Sequence, residues 1–421
     1  MYSNNRNNDR KKFLTCFIST IFIMGVFSFF SIAKDTILSK SNSNEAAIFT
    51  PNEDKTNKVS LLAVGDIMVY NSQLTAQYDV SKANYNFENN FQYVKKYVKK
   101  ADYSMANLET TLTGNKIYRY SSYPKFNSPD ELADGLKYAG FDLVSTANNH
   151  AYDKGDLSIK NTLSTLKSKN FDVIGTRENN GHKFIIKKIN DINIGITSYT
   201  YGKSINDNKY LDETKISKKN KYNINIFDST SVDNAFNNIN YTLEKMKDTD
   251  LQVVYLHWGS KYSSKESKFQ KELAQKLCDA GVDVILGSHP HVVQPVKTIT
   301  STDGNTETVV AYSLGNFLSN QTRDQFNEYT EDGLMLNIEI SKSKNDNDAK
   351  VTKVNCIPTW LNKYYNKKTS KYTYEIIPIA NKSDLEKINN LSQNKLKKSY
   401  ENTTSQIETS DLINIVENPF N

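Results

Sequence analysis

LQVVYLHWG (251–259), ESKFQKELAQKLCDAG (266–281) and VDVILGSHPHV (282–292) form the stretch from which the fold can be read. The first and third segments are apolar runs of strand length, and each breaks into histidine. The segment between them is an amphipathic helix by its spacing, with Phe269, Leu273 and Leu277 on one face and Gly281 as its stop. Strand, helix and strand in succession predict an α/β fold.

The same alternation recurs on the N-terminal side. VSLLAV (59–64) is a buried strand ended by Gly65-Asp66. Residues 86–101 carry Phe87, Phe91, Val94 and Val98 at helical spacing, and YSMANLE (103–109) is a second strand. A short helix over 130–139 stops at Gly140, and FDLVSTA (141–147) runs into Asn148-Asn149-His150. A helix over 156–169 leads to the strand FDVIGT (171–176). KFIIKKINDINIGITSYT (183–200) predicts a hairpin turning at Asn190-Asp191. Residues 203–235, rich in Asn, Lys and Asp, read as a surface excursion before a helix over 232–247. On the C-terminal side TVVAYSLGNFL (308–318), GLMLNIEI (333–340), KVTKVNCIPTWL (350–361) and YTYEIIPI (372–379) read as strands. A polar helix over 383–398 and a loose tail from 400 follow.

Composition bounds the rest. In 421 residues, 38% are hydrophobic and 11% aromatic, which excludes wholesale disorder. Three cysteines exclude a disulfide scaffold and a Cys-rich zinc site. Cys278, in a helical pattern, and Cys356, in a strand pattern, are either a pair or two buried thiols. The net charge is +6, of which Arg6, Arg10, Lys11 and Lys12 against Asp9 supply half, so no nucleic-acid partner is expected. Phe13 to Ala33 form an uncharged apolar run, about 31 Å long as a helix, enough to cross a bilayer. Arg10-Lys11-Lys12 before it predicts residues 1–12 in the cytoplasm and the rest outside. The expected organisation is a cytoplasmic tail (1–12), a single-pass cell-membrane anchor (13–33), a stalk (34–58), an extracytoplasmic α/β domain (59–380) and a C-terminal helix and tail (381–421). A cleaved signal peptide is the alternative to the anchor.

Four of the five histidines (His150, His257, His289, His291) fall at predicted strand ends, beside Asp66 and Glu109. In α/β folds the carboxyl ends of strands converge on one crevice. Imidazoles and carboxylates without thiolate suit one or two divalent ions, Mn, Zn or Fe. His289 and His291, two apart, would face one site if extended, with Pro290 stiffening the turn. Asp66 would bind one metal or bridge two, and Asn149 could lend a carbonyl oxygen. His150 is the candidate general acid. Asn107 would orient Glu109 or touch substrate, and Asn148 is a further substrate-binding candidate. Asp153 and Gly155 would close a turn and cap the next helix, with Asp153 also able to support a ligand. Trp258 is either a substrate platform or core packing. Gly315-Asn316-Phe317 would shape the turn beneath the site.

Six pieces occur in order: Gly65-Asp66-Ile67-Met68; Asn107-Leu108-Glu109; Asn148-Asn149-His150-x-x-Asp153-x-Gly155; His257-Trp258-Gly259; Gly287-Ser288-His289-Pro290-His291-Val292; and Tyr312-Ser313-Leu314-Gly315-Asn316-Phe317. Together they resemble the CapA/PgsA family of capsule and poly-γ-glutamate biosynthesis proteins, over roughly residues 59–320. The resemblance implies a calcineurin-like metallophosphoesterase fold, a four-layer α/β/β/α sandwich with a two-metal site. It implies Asp66, Glu109, Asn149, His257, His289 and His291 as metal ligands and His150 as the catalytic histidine. It also implies a polyanionic polymer, a membrane polymer ligase and export subunits as partners. Met68 departs from the pattern, since the superfamily has histidine there. A thioether is a poor ligand for a hard metal, which puts one metal site and phosphoesterase chemistry in question.

Overall fold

The computed structural model describes residues 56–179, 181–326, 329–343 and 349–420. The predicted anchor at 13–33 and most of the stalk lie outside them. Among the described residues no helix is long and apolar enough to cross a membrane.

The fold is mixed α/β, with two nine-stranded sheets, neither closed into a barrel. The first runs, in spatial order, through Lys371–Pro378, Ala349–Asn366, Asp332–Ser343, Thr56–Ile67, Tyr103–Leu108, Leu143–Ser145 and Asp172–Ile174. The second is built on Ile192–Ile205, Leu251–His257, Val284–Ser288 and Glu307–Ala311, with Val296–Thr300 at its edge. The central strands are parallel and buried on both faces, which is why they read as continuous apolar runs.

Strand alternation sorts the core. Leu61, Ala63 and Met105 of the first sheet share one apolar cluster with Ile196, Val253 and Leu286 of the second. Leu62, Val64 and Ala106, pointing the other way, pack with Phe87, Phe91 and Leu136 from the helical segments. Val254, Leu256 and Ile285 of the second sheet pack with Ile239, Leu243 and Leu277 of the helices Val232–Met246 and Lys268–Asp279. The Tyr255 hydroxyl donates to the Val64 carbonyl and ties one sheet to the other.

Several expectations are corrected. The first strand begins at Thr56, inside the expected stalk. Residues 86–101 form two short helices, Glu88–Phe91 and Lys95–Val98, separated by a turn. The single strand expected over 308–318 is two: Glu307–Ala311 lies in the second sheet and Asn316–Leu318 in the first. The chain crosses over at Gly315, whose φ of +68° favours glycine. The excursion at 203–235 is not only surface. Leu211, Ile216, Ile224 and Ile226 are buried against Ile159 and Leu163 of the Asp156–Ser168 helix. The tail is not loose either, because Ile413–Ile415 pairs with the Ala349–Asn366 strand. Cys278 and Cys356 are both buried and free, and burial pushes the Cys356 thiol up to about 12.

Candidate metal centre

The first strand is aimed by a bulge. Its register with Tyr103–Leu108 shifts between Val64 and Asp66, leaving Gly65 unpaired. A Cβ on Gly65 would sit 1.9 Å from the Gly315 carbonyl oxygen, so only glycine lets the two segments meet. The Asp66 amide donates to that carbonyl at 3.0 Å, and Asp66 pairs with Asn316 on one side and Asn107 on the other. Asn107 Nδ2 donates to Asp66 Oδ1 at 2.7 Å. Asn148 Nδ2 in turn donates to Asn107 Oδ1 at 3.2 Å and to the Leu108 carbonyl at 2.8 Å. Both amides are buried and fix the carboxylate, with Asn107 orienting Asp66 rather than Glu109.

The histidine pair is not extended. Past Ser288 the chain turns, with φ +97° at His289 and +60° at His291. Such backbone costs roughly 1–3 kcal/mol per residue and has to be held from outside. The His289 amide donates to Asp66 Oδ2 at 3.2 Å, and the Tyr262 amide donates to the Pro290 carbonyl at 2.7 Å. The two rings consequently go to different partners. Glu109, His257 and His289 form one group able to hold a metal ion, and Asp66, Glu109 and His291 form another. Glu109, not Asp66, is the carboxylate common to both.

The donor chemistry fits a cation. Around His257 Nε2 stand Asn149 Oδ1 at 2.9 Å, His289 Nδ1 at 3.1 Å and Glu109 Oε1 at 3.6 Å. An imidazole nitrogen carries at most one proton, so these acceptors cannot all be satisfied by one another. His257 Nδ1 faces Ser288 Oγ at 2.9 Å, and with Nδ1–H donating to that hydroxyl Nε2 would be the ligating nitrogen. In the second group His291 Nδ1 lies 3.1 Å from Asp66 Oδ2, and its Nε2 lies 3.8 Å from Glu109 Oε1. Both oxygens of Glu109 are buried without a hydrogen-bond partner. An orphaned buried carboxylate of that kind calls for an ion. Burial, then the neighbouring Asp66, holds its carboxyl well above the usual range. Burial, then the neighbouring imidazoles, holds His257 and His289 well below theirs, in the neutral ligating form.

Around this cluster the other candidates separate. His150 Nδ1 is 2.8 Å from Asp153 Oδ2, its ring stands edge-on to Phe126, and its Nε2 is 4.0 Å from Glu109 Oε1. Asp153 also accepts from the Phe126 amide at 2.6 Å, so it orients His150 and caps no helix. Trp258 is core packing, not a substrate platform. It is fully buried, stacks on Tyr312 and donates to that residue's carbonyl at 2.9 Å. Met68 is buried, and its amide donates to the Leu318 carbonyl at 2.7 Å.

Three contributors were not foreseen. Asp212 Oδ2 accepts from Asn149 Nδ2 at 3.0 Å and turns the Asn149 carbonyl toward His257. The Tyr201 hydroxyl donates to the same carboxylate, and its ring lies over His257 and His289. Lys261, partly buried, is close enough to act electrostatically on Glu109, His257 and His289. Lys261 follows the His257-Trp258-Gly259 motif and could have been suspected. Asp212 sits in a polar stretch that gives no such signal.

Fold and site define a mixed α/β protein with a buried carboxylate–imidazole cluster at its strand ends that could hold a metal ion. The chain belongs to the bacterial capsule synthesis protein family PGA_cap, whose family model matches residues 60–321 and so takes in the whole cluster. It is similar to the PGA biosynthesis protein CapA of Bacillus subtilis (strain 168), with 30% identity over 273 residues, 62% of this chain and 64% of that one. It is also similar to the capsule biosynthesis protein CapA of Bacillus anthracis, with 28% identity over 272 residues, 63% of this chain and 60% of that one. The match thus spans less than two thirds of either relative. A crystal structure of a hypothetical protein from Thermus thermophilus aligns with 71% of this chain and 98% of its own, at 15% identity and a TM-score of 0.41.

Proposed function

We propose that this chain is a membrane-anchored, extracytoplasmic protein of capsule-polymer synthesis, export or anchoring, with poly-γ-glutamate as its polymer. Its cluster holds one or two divalent ions. The observation that carries the metal reading is Glu109, shared by two ligand groups with both oxygens unpartnered. Membership of the capsule synthesis family and the names of the two relatives support the polymer. The three apolar clusters support a calcineurin-like arrangement with helices outside two facing sheets. Its partners are a membrane polymer ligase and export subunits, and residues 13–33 are the anchor.

Glu109, Asn149, His257 and His289 would hold one ion, and Asp66, Glu109 and His291 the other. Bound there, a divalent ion supplies positive charge for a carboxylate or phosphoryl oxygen and lowers the pKa of a bound water. The protein's own groups do the rest. Asn107 and Asn148 keep Asp66 in place, Asp212 keeps Asn149 turned inward, and Asp153 holds His150 with Nε2 toward the cluster. Lys261 adds a second positive group for an anionic ligand.

A second reading is a metal-dependent phosphoesterase, favoured by the His150–Asp153 pair at the cluster's edge. Metal content of the full chain, wild type beside His289→Ala/His291→Ala, tests the site. About two equivalents lost in the variant are expected, and a folded, metal-free wild type overturns the metal reading. Surface polymer in a strain lacking the gene tests the role, and unchanged polymer overturns it. Turnover of a generic phosphodiester with Mn²⁺ would instead establish the second reading.

A further inference from the structure

A cleft of about 820 Å³ shares no residue with the metal cluster. One wall is the edge strand Lys371–Pro378 with Tyr364 of its neighbour. The other is the end of the Asn71–Gln77 helix, the small hairpin of Tyr78–Asp79 with Asn84–Tyr85, and the Glu88–Phe91 helix. The walls are tied together. Lys371 Nζ donates to the Tyr78 carbonyl at 2.6 Å, and Asn90 Nδ2 to the Tyr374 carbonyl at 2.6 Å. The volume lies within the range of small-ligand sites.

Its lining is specific in kind. Four tyrosines, Tyr78, Tyr138, Tyr364 and Tyr372, alternate with the amides Asn86, Asn89 and Gln92. The charges are Asp79, Glu88 and Glu375 against Lys371, whose ammonium is already engaged by the Tyr78 carbonyl. The ammonium groups of Lys95 and Lys363 stand over the Tyr138 and Tyr372 rings, so the charges around the cleft are mixed in sign and favour no run of carboxylates. Glu375, 5% exposed, belongs to the lining. Its Oε1 accepts from Gln92 Nε2 at 3.0 Å and from the Tyr364 hydroxyl at 3.4 Å, while Oε2 has no partner. That oxygen is sealed from solvent, so what the lining offers a ligand comes from its amides and tyrosine hydroxyls.

We propose that this cleft binds a neutral oligosaccharide. A pyranose ring presents an apolar C–H face and a rim of hydroxyls. Tyrosine rings take the first, while the amide groups of Asn86 and Asn89 take the second. The edge strand is not free to accept a peptide along its length, because Asn90 already holds the Tyr374 carbonyl. The assignment is independent of whether the cluster holds metal.

The test is titration of the full chain with cellotetraose, maltotetraose and the tetramer of N-acetylglucosamine, followed by saturation-transfer NMR and calorimetry. At least one sugar is expected to bind with a millimolar or tighter constant. Tyr372→Ala, at a ring 48% exposed in the wild type, is expected to weaken it at least about fivefold. Asn89→Ala should weaken it too, and His289→Ala should leave it unchanged. Binding of none of the three sugars overturns the proposal. So does binding insensitive to both cleft variants, or displacement of the sugar by pentaglutamate or an uncharged peptide.

Discussion

Glu109 joins the two ligand groups, and without a cation it is a liability: buried, unpartnered and repelled by Asp66. Glu109→Gln removes the charge while keeping the shape. In chelator-treated protein it is expected to stabilise the fold by about 1–3 kcal/mol, raising the melting temperature by about 2–4 °C, while metal content drops. Calorimetry beside metal analysis reads both, and a variant that melts lower and keeps its metal contradicts the assignment. Lys261 is the second residue-scale test. If it serves an anionic ligand, Lys261→Ala should leave metal content alone and weaken pentaglutamate binding about threefold to tenfold, with a shallower salt dependence. Equal affinities for wild type and variant at low salt would remove Lys261 from the site.

At the scale of elements, the segment that changes sheets matters most. Glu307–Ala311 and Asn316–Leu318 are one apolar run in sequence, and hydropathy has no mark for a strand that leaves one sheet and enters another. Gly315 is the only local signal. A Cβ there would lie 2.7 Å from the Asp332 carbonyl oxygen, in a backbone of positive φ. Gly315→Ala should therefore cost about 1–3 kcal/mol and, by shifting Asn316 and Asp66, lower metal affinity. Urea unfolding with and without metal measures both; a variant as stable and as tight as wild type would mean the crossing is not what sets Asp66. The same reasoning marks what was legible. The buried strands 251–257 and 284–288 and the amphipathic helix between them announce themselves through period and composition. The polar clusters at five strand ends pointed to the site because their carboxylates, amides and imidazoles have no business in a core. The Asp212 buttress was hidden, since its partner Asn149 lies 63 residues away and its own segment is uniformly polar. Asn107 was visible but its partner was not, because the Gly65 bulge sets which carboxylate it meets.

At the scale of the whole molecule, the tail and the site meet through one strand. Asp332 starts the Asp332–Ser343 strand, beside the Gly333 that bridges to Gly315, and is fully buried. Asn402 of the Gln393–Thr404 helix donates to its Oδ2 at 2.9 Å, and Arg323 stands 3.7 Å away. Burial outweighs both and pushes the Asp332 carboxyl up to about 7. In the unfolded chain it returns to the ordinary value of about 3.9, so between those two pH values the folded state binds the extra proton. Its contribution is fully present below about pH 4 and is lost as pH rises through about 7. The loss amounts to about 2–4 kcal/mol for a shift of this size. Asp332→Asn keeps a neutral side chain of the same shape at every pH. Relative to this variant, wild type should lose stability steadily from about pH 4 to about pH 7, read as diverging urea midpoints. Because Asn402 is the tail's hold on Asp332, the divergence should come with earlier hydrogen exchange in 393–404 at the higher pH. Parallel midpoint curves would show that Asp332 is ionised throughout and that Arg323 and Asn402 suffice to keep its charge buried.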